Sequence, residues 1–439
     1  MRFVYLSLVC AGLACAAKVA PQQVTFHKDV QPILQSRCQE CHRPGEAAPM
    51  SFLSYNEVRP WAKAIKVAVL NKQMPPWFAD PHYGKFSNER ALSQTEIDTL
   101  VGWADGGAKE GNLKDAPAPL NFVEGWRIGK PDAIIEMPVA FEVPASGTID
   151  YQYVIIPTNF KEDRYVQIAE ARPGNPAVVH HIIAFIREPG SGWLKDAQPG
   201  VPFAPREKAR AKGNANSPML ALGDGLAGFA PGTTPQILKP GQAKLLKAGS
   251  DIVMQMHYTA MGKVATDKSR VGLIFAKDKP TERVVTLAAM KFDFVIPPGA
   301  ADTEVNAKMT LQRDATLVSL LPHMHFRGKS FEYTAIYPTG EKEVLLSVPH
   351  YDFNWQLSYN LDQQKLLPKG TVIACTAHYD NSVNNKYNPD PSKEVRFGEQ
   401  TWEEMMFGFF DVAVPADVTV RDLVIPKKPA AASASAGGL

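Results

Sequence analysis

Beyond residue 130 the chain is written in short apolar runs, among them "YQYVIIP" at 151–157, "VVHHIIAFI" at 178–186, "DIVMQMHY" at 251–258, "TLVSLLPHMHF" at 316–326 and "TVIACTAHY" at 371–379. Gly, Pro, Asn and Asp punctuate them. Short runs rich in β-branched and aromatic residues, closed by turn formers, read as strands, and many of them in succession read as β-sandwiches. The 439-residue chain exceeds what one core supports, and its 45% hydrophobic content can fill several. Two all-β, jelly-roll-like sandwich domains are expected, at 131–292 and 293–425, divided near "VIPPGAAD" at 295–302. No internal sequence repeat stands out.

The region ahead of the strands reads differently. Residues 27–37, 56–71 and 94–104 have helical patterning, and the last opens on Ser93-x-x-Glu96, a capping box, and stops at Gly106-Gly107. A small all-α domain over 25–112 follows, joined by the proline-containing linker 113–130. The Lys, Ala and Ser tail at 426–439 reads as disordered, and "REKARAK" at 206–212 as a solvated loop. The formal net charge of +2 gives no reason to invoke nucleic acid.

"MRFVYLSLVCAGLACAA" combines Arg2, an apolar run and a small-residue end, the pattern of a signal peptide over 1–17, so the mature protein is expected in the periplasm or secreted. A lipid anchor on Cys15 is the alternative, although Gly12 stands where a leucine is expected. No later run reaches the roughly 18–20 apolar residues of a membrane span. Cys10 and Cys15 leave with the signal, and the three remaining cysteines are no disulfide scaffold.

Two of those three lie in "CQECH" at 38–42, the attachment sequence of c-type haem, with Cys38 and Cys41 forming thioethers and His42 the proximal ligand. A redox dithiol or half a zinc site are the alternatives; the first does not need His42, and the second needs another nearby ligand pair. Met74, in "KQMPPW", is the expected sixth ligand, with His82 the competitor.

Seven of the ten histidines fall in the β region, and His180, His181, His257, His323 and His325 sit inside apolar strands, where an unpaired imidazole is costly to bury. On a strand, His323 and His325 share a face and Met324 points away. His180 and His181 are neighbours and would point oppositely, so a shared metal requires a bulge or a strand end. No cysteine pair suggests structural zinc and no obvious acidic residue completes an iron triad, which leaves copper. A blue-copper site from Cys375 and His378 lacks a methionine soon afterwards.

With these residues in view the chain resembles the copper type II, ascorbate-dependent monooxygenases, the family of peptidylglycine α-hydroxylating monooxygenase and dopamine β-monooxygenase. "VVHHIIAF" and "MQMHY" match one copper site, His180, His181 and His257; "PHMHFRGK" and "TWEEMMFGF" match the other, His323, His325 and Met405, with Met406 a competitor. The likeness covers roughly residues 130–415. It implies two copper ions, dioxygen, a small-molecule substrate, an external electron donor such as ascorbate or a redox protein, and hydroxylation of a C–H bond at the His323/His325/Met405 site. Where peptide-amidating relatives hold an arginine, an asparagine and a tyrosine against a substrate carboxylate, this chain has Leu321, Phe407 and Phe409. An apolar or aromatic substrate is therefore expected, with electrons relayed through the fused haem. Two rival readings stay open: a periplasmic electron carrier or copper-handling protein, suggested by "MQMHYTAM", and a haem–copper reductase acting on an inorganic oxidant.

Overall fold

The computed structural model describes residues 23–46, 48–123, 125–204 and 224–425; the expected signal peptide, the basic stretch 206–212 and the tail lie outside the described residues. A π-type turn at Phe26–Val30 runs into helix α1 (Gln31–Arg37). Helices α2 (Tyr55–Val58) and α3 (Ala62–Leu70) are joined by a 3-10 turn at Arg59–Trp61, where Pro60 supplies no N–H for a continuous ladder. Helix α4 (Gln94–Asp105) opens on the capping box: Ser93 Oγ accepts the Glu96 N–H, and Glu96 Oε2 accepts the Ser93 N–H at 2.7 Å. Phe26, Leu34, Val58, Leu100 and Trp103 form the centre of this helical unit.

Twenty strands follow among the described residues. The first ten are β1 (Ala133–Glu136), β2 (Phe141–Val143), β3 (Gln152–Pro157), β4 (Arg164–Arg172), β5 (Val179–Arg187), β6 (Asp224–Phe229), β7 (Gln242–Leu246), β8 (Asp251–Tyr258), β9 (Ala265–Asp267) and β10 (Arg270–Phe275). They form one layer in the order β3-β8-β5-β6 and another in the order β1-β10-β4-β7, with the short pair β2-β9 beside them. Val154, Ile182, Met254, Leu246 and Leu273 fill the core between the layers.

The second ten are β11 (Glu282–Lys291), β12 (Val295–Ile296), β13 (Thr303–Thr310), β14 (Ala315–His323), β15 (Gly328–Ile336), β16 (Lys342–Val348), β17 (Tyr359–Leu367), β18 (Val372–Tyr379), β19 (Val395–Arg396) and β20 (Met406–Pro415), before a last helix α5 (Val420–Val424). Their layers are β11-β20-β14-β17 and β13-β18-β15-β16, closed over Leu317, Leu346, Ile373 and Phe410.

The two β units are not independent layers. β7 and β11 pair in parallel through Glu282↔Gln242 and Arg283↔Ala243, so one eight-stranded sheet runs through both. β11 ends at Lys291, ahead of the expected division at 292/293, yet it pairs without interruption with β20 from Glu282↔Pro415 to Lys291↔Met406, and so it belongs to the second unit. The helical unit is also tied in. Its segment beyond α3 lays Trp77 and Phe86 on Tyr359, with ring centroids 4.9 and 5.5 Å away, and Ser87 N–H donates to Asn360 O at 2.9 Å.

Candidate metal centre

β5 and β8 are neighbours, and their register shifts between Val179↔Tyr258 and His181↔His257. His180 is the extra residue, and a bulge of this kind lets two consecutive side chains turn to one side. Its Nδ1 lies 3.1 Å from His181 Nδ1 and 3.2 Å from His257 Nδ1, and the ligand atoms of all three rings fall within 4.8 Å of one another. Two nitrogens each about 2.0 Å from one ion at a tetrahedral angle lie about 3.3 Å apart, so this spacing suits three ligands of one metal.

Burial keeps these rings neutral. It lowers the His180 pKa to about 4 against the pull of Asn354 and Asp352. His181 and His257 are held well below the ordinary histidine value, again by burial and then by the neighbouring imidazoles. A neutral imidazole is the form that ligates a metal.

The second pair lies at the end of β14. Met324 is fully buried in the core of its unit, while His323 and His325 turn to the opposite side with ring centroids 5.3 Å apart. His323 Nδ1 lies 2.8 Å from Gln356 Oε1, and His325 Nδ1 lies 3.2 Å from the Glu403 carbonyl. Both partners only accept, so both Nδ1 atoms carry protons and the Nε2 lone pairs are left to ligate. His325 Nε2 is buried and has no hydrogen-bond partner among the described residues. Burial lowers the His323 pKa to about 4 and holds that of His325 well below the usual range.

Strand alternation separates the two methionines. Met406 packs in the core, whereas Met405, 3% exposed, precedes by two residues Phe407, which stands opposite His323 in the β14–β20 register. Met405 is therefore the one on the histidine side. Glu404, fully buried, clips the histidine segment in place: its Oε2 accepts the His325 N–H at 2.8 Å and its Oε1 the Arg327 N–H at 2.6 Å. Burial raises its pKa to about 8, against the pull of those two amides and of the Arg327 charge.

The two histidine groups adjoin. The Gln356 side chain reaches both, with Oε1 on His323 and Nε2 3.5 Å from His181 Nδ1. The Tyr151 ring stands 5.5, 4.9 and 6.2 Å from His181, His257 and His325, and Phe353 stacks on His180 at 5.2 Å while also meeting His325. Sequence reasoning missed Gln356, Tyr151 and Phe353. They sit in no metal-ligand spacing, and only chain packing brings them here.

The "CQECH" segment forms a turn at the end of α1, with the Cys41 N–H donating to Cys38 O at 3.1 Å and both thiols free. Burial, reinforced by Cys41, pushes the Cys38 thiol up to about 12. His42 stacks on Phe52 at 4.2 Å, and its buried Nδ1 has no partner among the described residues. Two free thiols one turn apart beside an unsatisfied imidazole suit covalent haem attachment. Met74 is half-buried beyond α3, and the methionine packed with Cys38 against the helical core is Met50. His82 is 83% exposed and bonded to Asp80 at 2.6 Å. Cys375 faces the core, whereas His378 turns to Asp302 on the other face of β18, so these two do not share a site.

This turn is docked on the first β unit. Arg127 donates to Glu40, between the two cysteines, and to Glu46, beyond them, at 2.9 Å each and to Thr233 O at 3.3 Å, and Arg90 donates to Gly232 O. Cys41 and the segment from Gly228 to Pro235 line one cavity; that segment and His181 line a second, of about 180 Å³, between the β units. The two cavities thus share the segment from Gly228 to Pro235.

No protein-family model and no curated protein matches the chain. Among solved structures it is similar to the infectious bursal disease virus Gx strain structure, at 9% identity and a TM-score of 0.17 over 66% of this chain and 72% of that one. A putative secreted protein from Eubacterium rectale matches at 9% identity and a TM-score of 0.18, covering 63% and 74%.

Proposed function

We propose that this protein is an exported copper-dependent monooxygenase that hydroxylates a C–H bond of a small apolar or aromatic molecule, with electrons delivered through a c-type haem in its helical unit. The observation that supports it most is the meeting of His180, His181 and His257 with His323 and His325 across Gln356, beside a cavity. The net reaction is R–H + O2 + 2 electrons + 2 protons → R–OH + H2O.

The donor sets fit copper: three converging imidazole nitrogens in one group, and in the other a buried Nε2 without a partner among the described residues and a second imidazole, to which Met405 would add a thioether that suits Cu(I). When bound, copper at the two groups supplies one electron each and the position at which dioxygen is activated. The chain's own residues do the rest. Gln356 and the Glu403 carbonyl hold the His323 and His325 rings by their Nδ1 protons, and Glu404 fixes the His325 backbone. Tyr151 and Phe353 each pack against histidines of both groups. Arg127 ties the cysteine turn, and Arg90 the chain beyond α3, to the segment that lines a cavity with His181, the side from which electrons would pass.

The test is haem and copper stoichiometry on exported protein, followed by oxygen uptake with small apolar and aromatic substrates. One haem, two coppers and substrate-dependent uptake that Met405→Ala abolishes are expected. Full copper loading with no uptake for any substrate would favour the electron-carrier reading.

A further inference from the structure

The cavity beside His181 has an internal order. On the face of β14 and β20 turned toward the first β unit, cross-strand pairs succeed one another as His323–Phe407, Leu321–Phe409 and Ser319–Asp411. Alternate residues share a face and rise about 7 Å per pair, so the third rung lies about 14 Å from the first. The first rung belongs to the histidine group, the middle one is apolar, and the last is polar. β5 supplies the opposite wall, where Ile183 continues the face of His181.

The polar end is a neutralised cluster. The Asp411 carboxylate accepts from Thr286 Oγ1 at 2.6 Å, Ser319 Oγ at 3.1 Å and Lys244 Nζ at 3.4 Å. Lys244 also donates to Thr286 Oγ1 at 3.1 Å, and Gln236 Nε2 donates to Ser319 Oγ at 3.2 Å. Lys244 is 5% exposed, so this ion pair is shielded from water. The side chains between it and the histidines carry no charge.

We infer that this cavity binds a neutral molecule of one ring and a short substituent, with a hydroxyl or carbonyl group at the Ser319–Lys244 end and its apolar body across Leu321 and Phe409 toward His323. A volume of about 180 Å³ suits that size, since an apolar cavity of about 150 Å³ holds benzene. Ser319 Oγ gives its proton to Asp411 but can still accept from a ligand hydroxyl, and the third proton of Lys244 can meet a neutral ligand oxygen. A free carboxylate or ammonium would add an unbalanced charge beside a largely buried pair that is already neutral. The part of the molecule presented to the histidines is the end away from its polar group. As a substrate site the cavity rests on the monooxygenase reading; as a binding site it does not.

The experiment is calorimetric titration of the full chain, free of copper, with 4-methylphenol, toluene, 4-methylbenzoate and 4-methylbenzylamine. 4-Methylphenol should bind about five- to tenfold more tightly than toluene, the worth of one hydrogen bond, and at least about tenfold more tightly than either ion. Ser319→Ala should bring 4-methylphenol down to the level of toluene while toluene binding persists, which shows the cavity intact. Leu321→Arg should abolish 4-methylphenol binding. Equal binding of the ions, or 4-methylphenol binding unchanged in both variants, overturns the inference. Copper stoichiometry on the same preparation separates the two claims. Phenol binding without copper retention keeps the cavity and sinks the oxygenase, and copper retention without phenol binding does the reverse.

Discussion

Glu404 offers the sharpest test of how the second histidine group is held. Both oxygens of this fully buried carboxyl are occupied by backbone N–H groups, of His325 at 2.8 Å and Arg327 at 2.6 Å. Glu404→Gln leaves one amide oxygen for two donors and turns an NH2 toward the other, so one buried N–H is orphaned at a cost of about 1–3 kcal/mol. Glu404→Ala orphans both, about 2–6 kcal/mol. For a unit of some 150 residues, about 2–4 °C per kcal/mol turns the Gln variant into a drop of about 2–12 °C in Tm, with a larger drop for Ala. Differential scanning calorimetry of the copper-free protein reads this directly. Copper retention should fall selectively, with the ion at His180, His181 and His257 kept and the ion at His323 and His325 lost, because Glu404 touches only the second group. An Ala variant within 1 °C of the parent that still holds both ions would refute the reasoning.

Three further outcomes follow from the geometry. His257→Ala and His325→Ala should each halve copper stoichiometry, measured by metal analysis after desalting, because the ligands of one group do not substitute for those of the other. Gln356→Leu removes the acceptor that orients His323 through Nδ1; competition against a Cu(I) chelator should show affinity at that group about 10–100-fold weaker. Ser93→Ala should cost the helical unit about 1 kcal/mol. Although partial burial opposes it, the hydrogen bonds from Ser93 and Arg37 hold Glu96 below its ordinary value of 4.5. Its contribution is present above pH 4.5 and is lost as the pH falls through the folded value, so urea denaturation should show less acid loss in the variant than in the parent.

The chain's own spelling determined the local structure: helix α4 behind Ser93-x-x-Glu96, strands such as β8 with its limits Asp251 and Tyr258, and the alternation that sets Met324 into the core of its unit and His323 and His325 to the other side. These are local in cause, since a two-residue period or a cap needs only neighbours. Strands such as β17 and β20 stayed hidden. β17 carries Asp, Gln and Lys, and β20 runs nearly continuously apolar with no clear alternation, so their pairing partners rather than their composition make them strands. The same holds for the site. Sequence spacing suggested that His180 needed a bulge, but the shift between Val179 and His181 exists because β8 runs opposite with His257 in register. Gln356 between the histidine groups, the parallel pairing of β7 with β11 and the neutralised cluster at Asp411 were decided only by the tertiary structure. Each joins residues tens to hundreds of positions apart, where burial and hydrogen-bond satisfaction across the packed layers select partners that no short motif encodes.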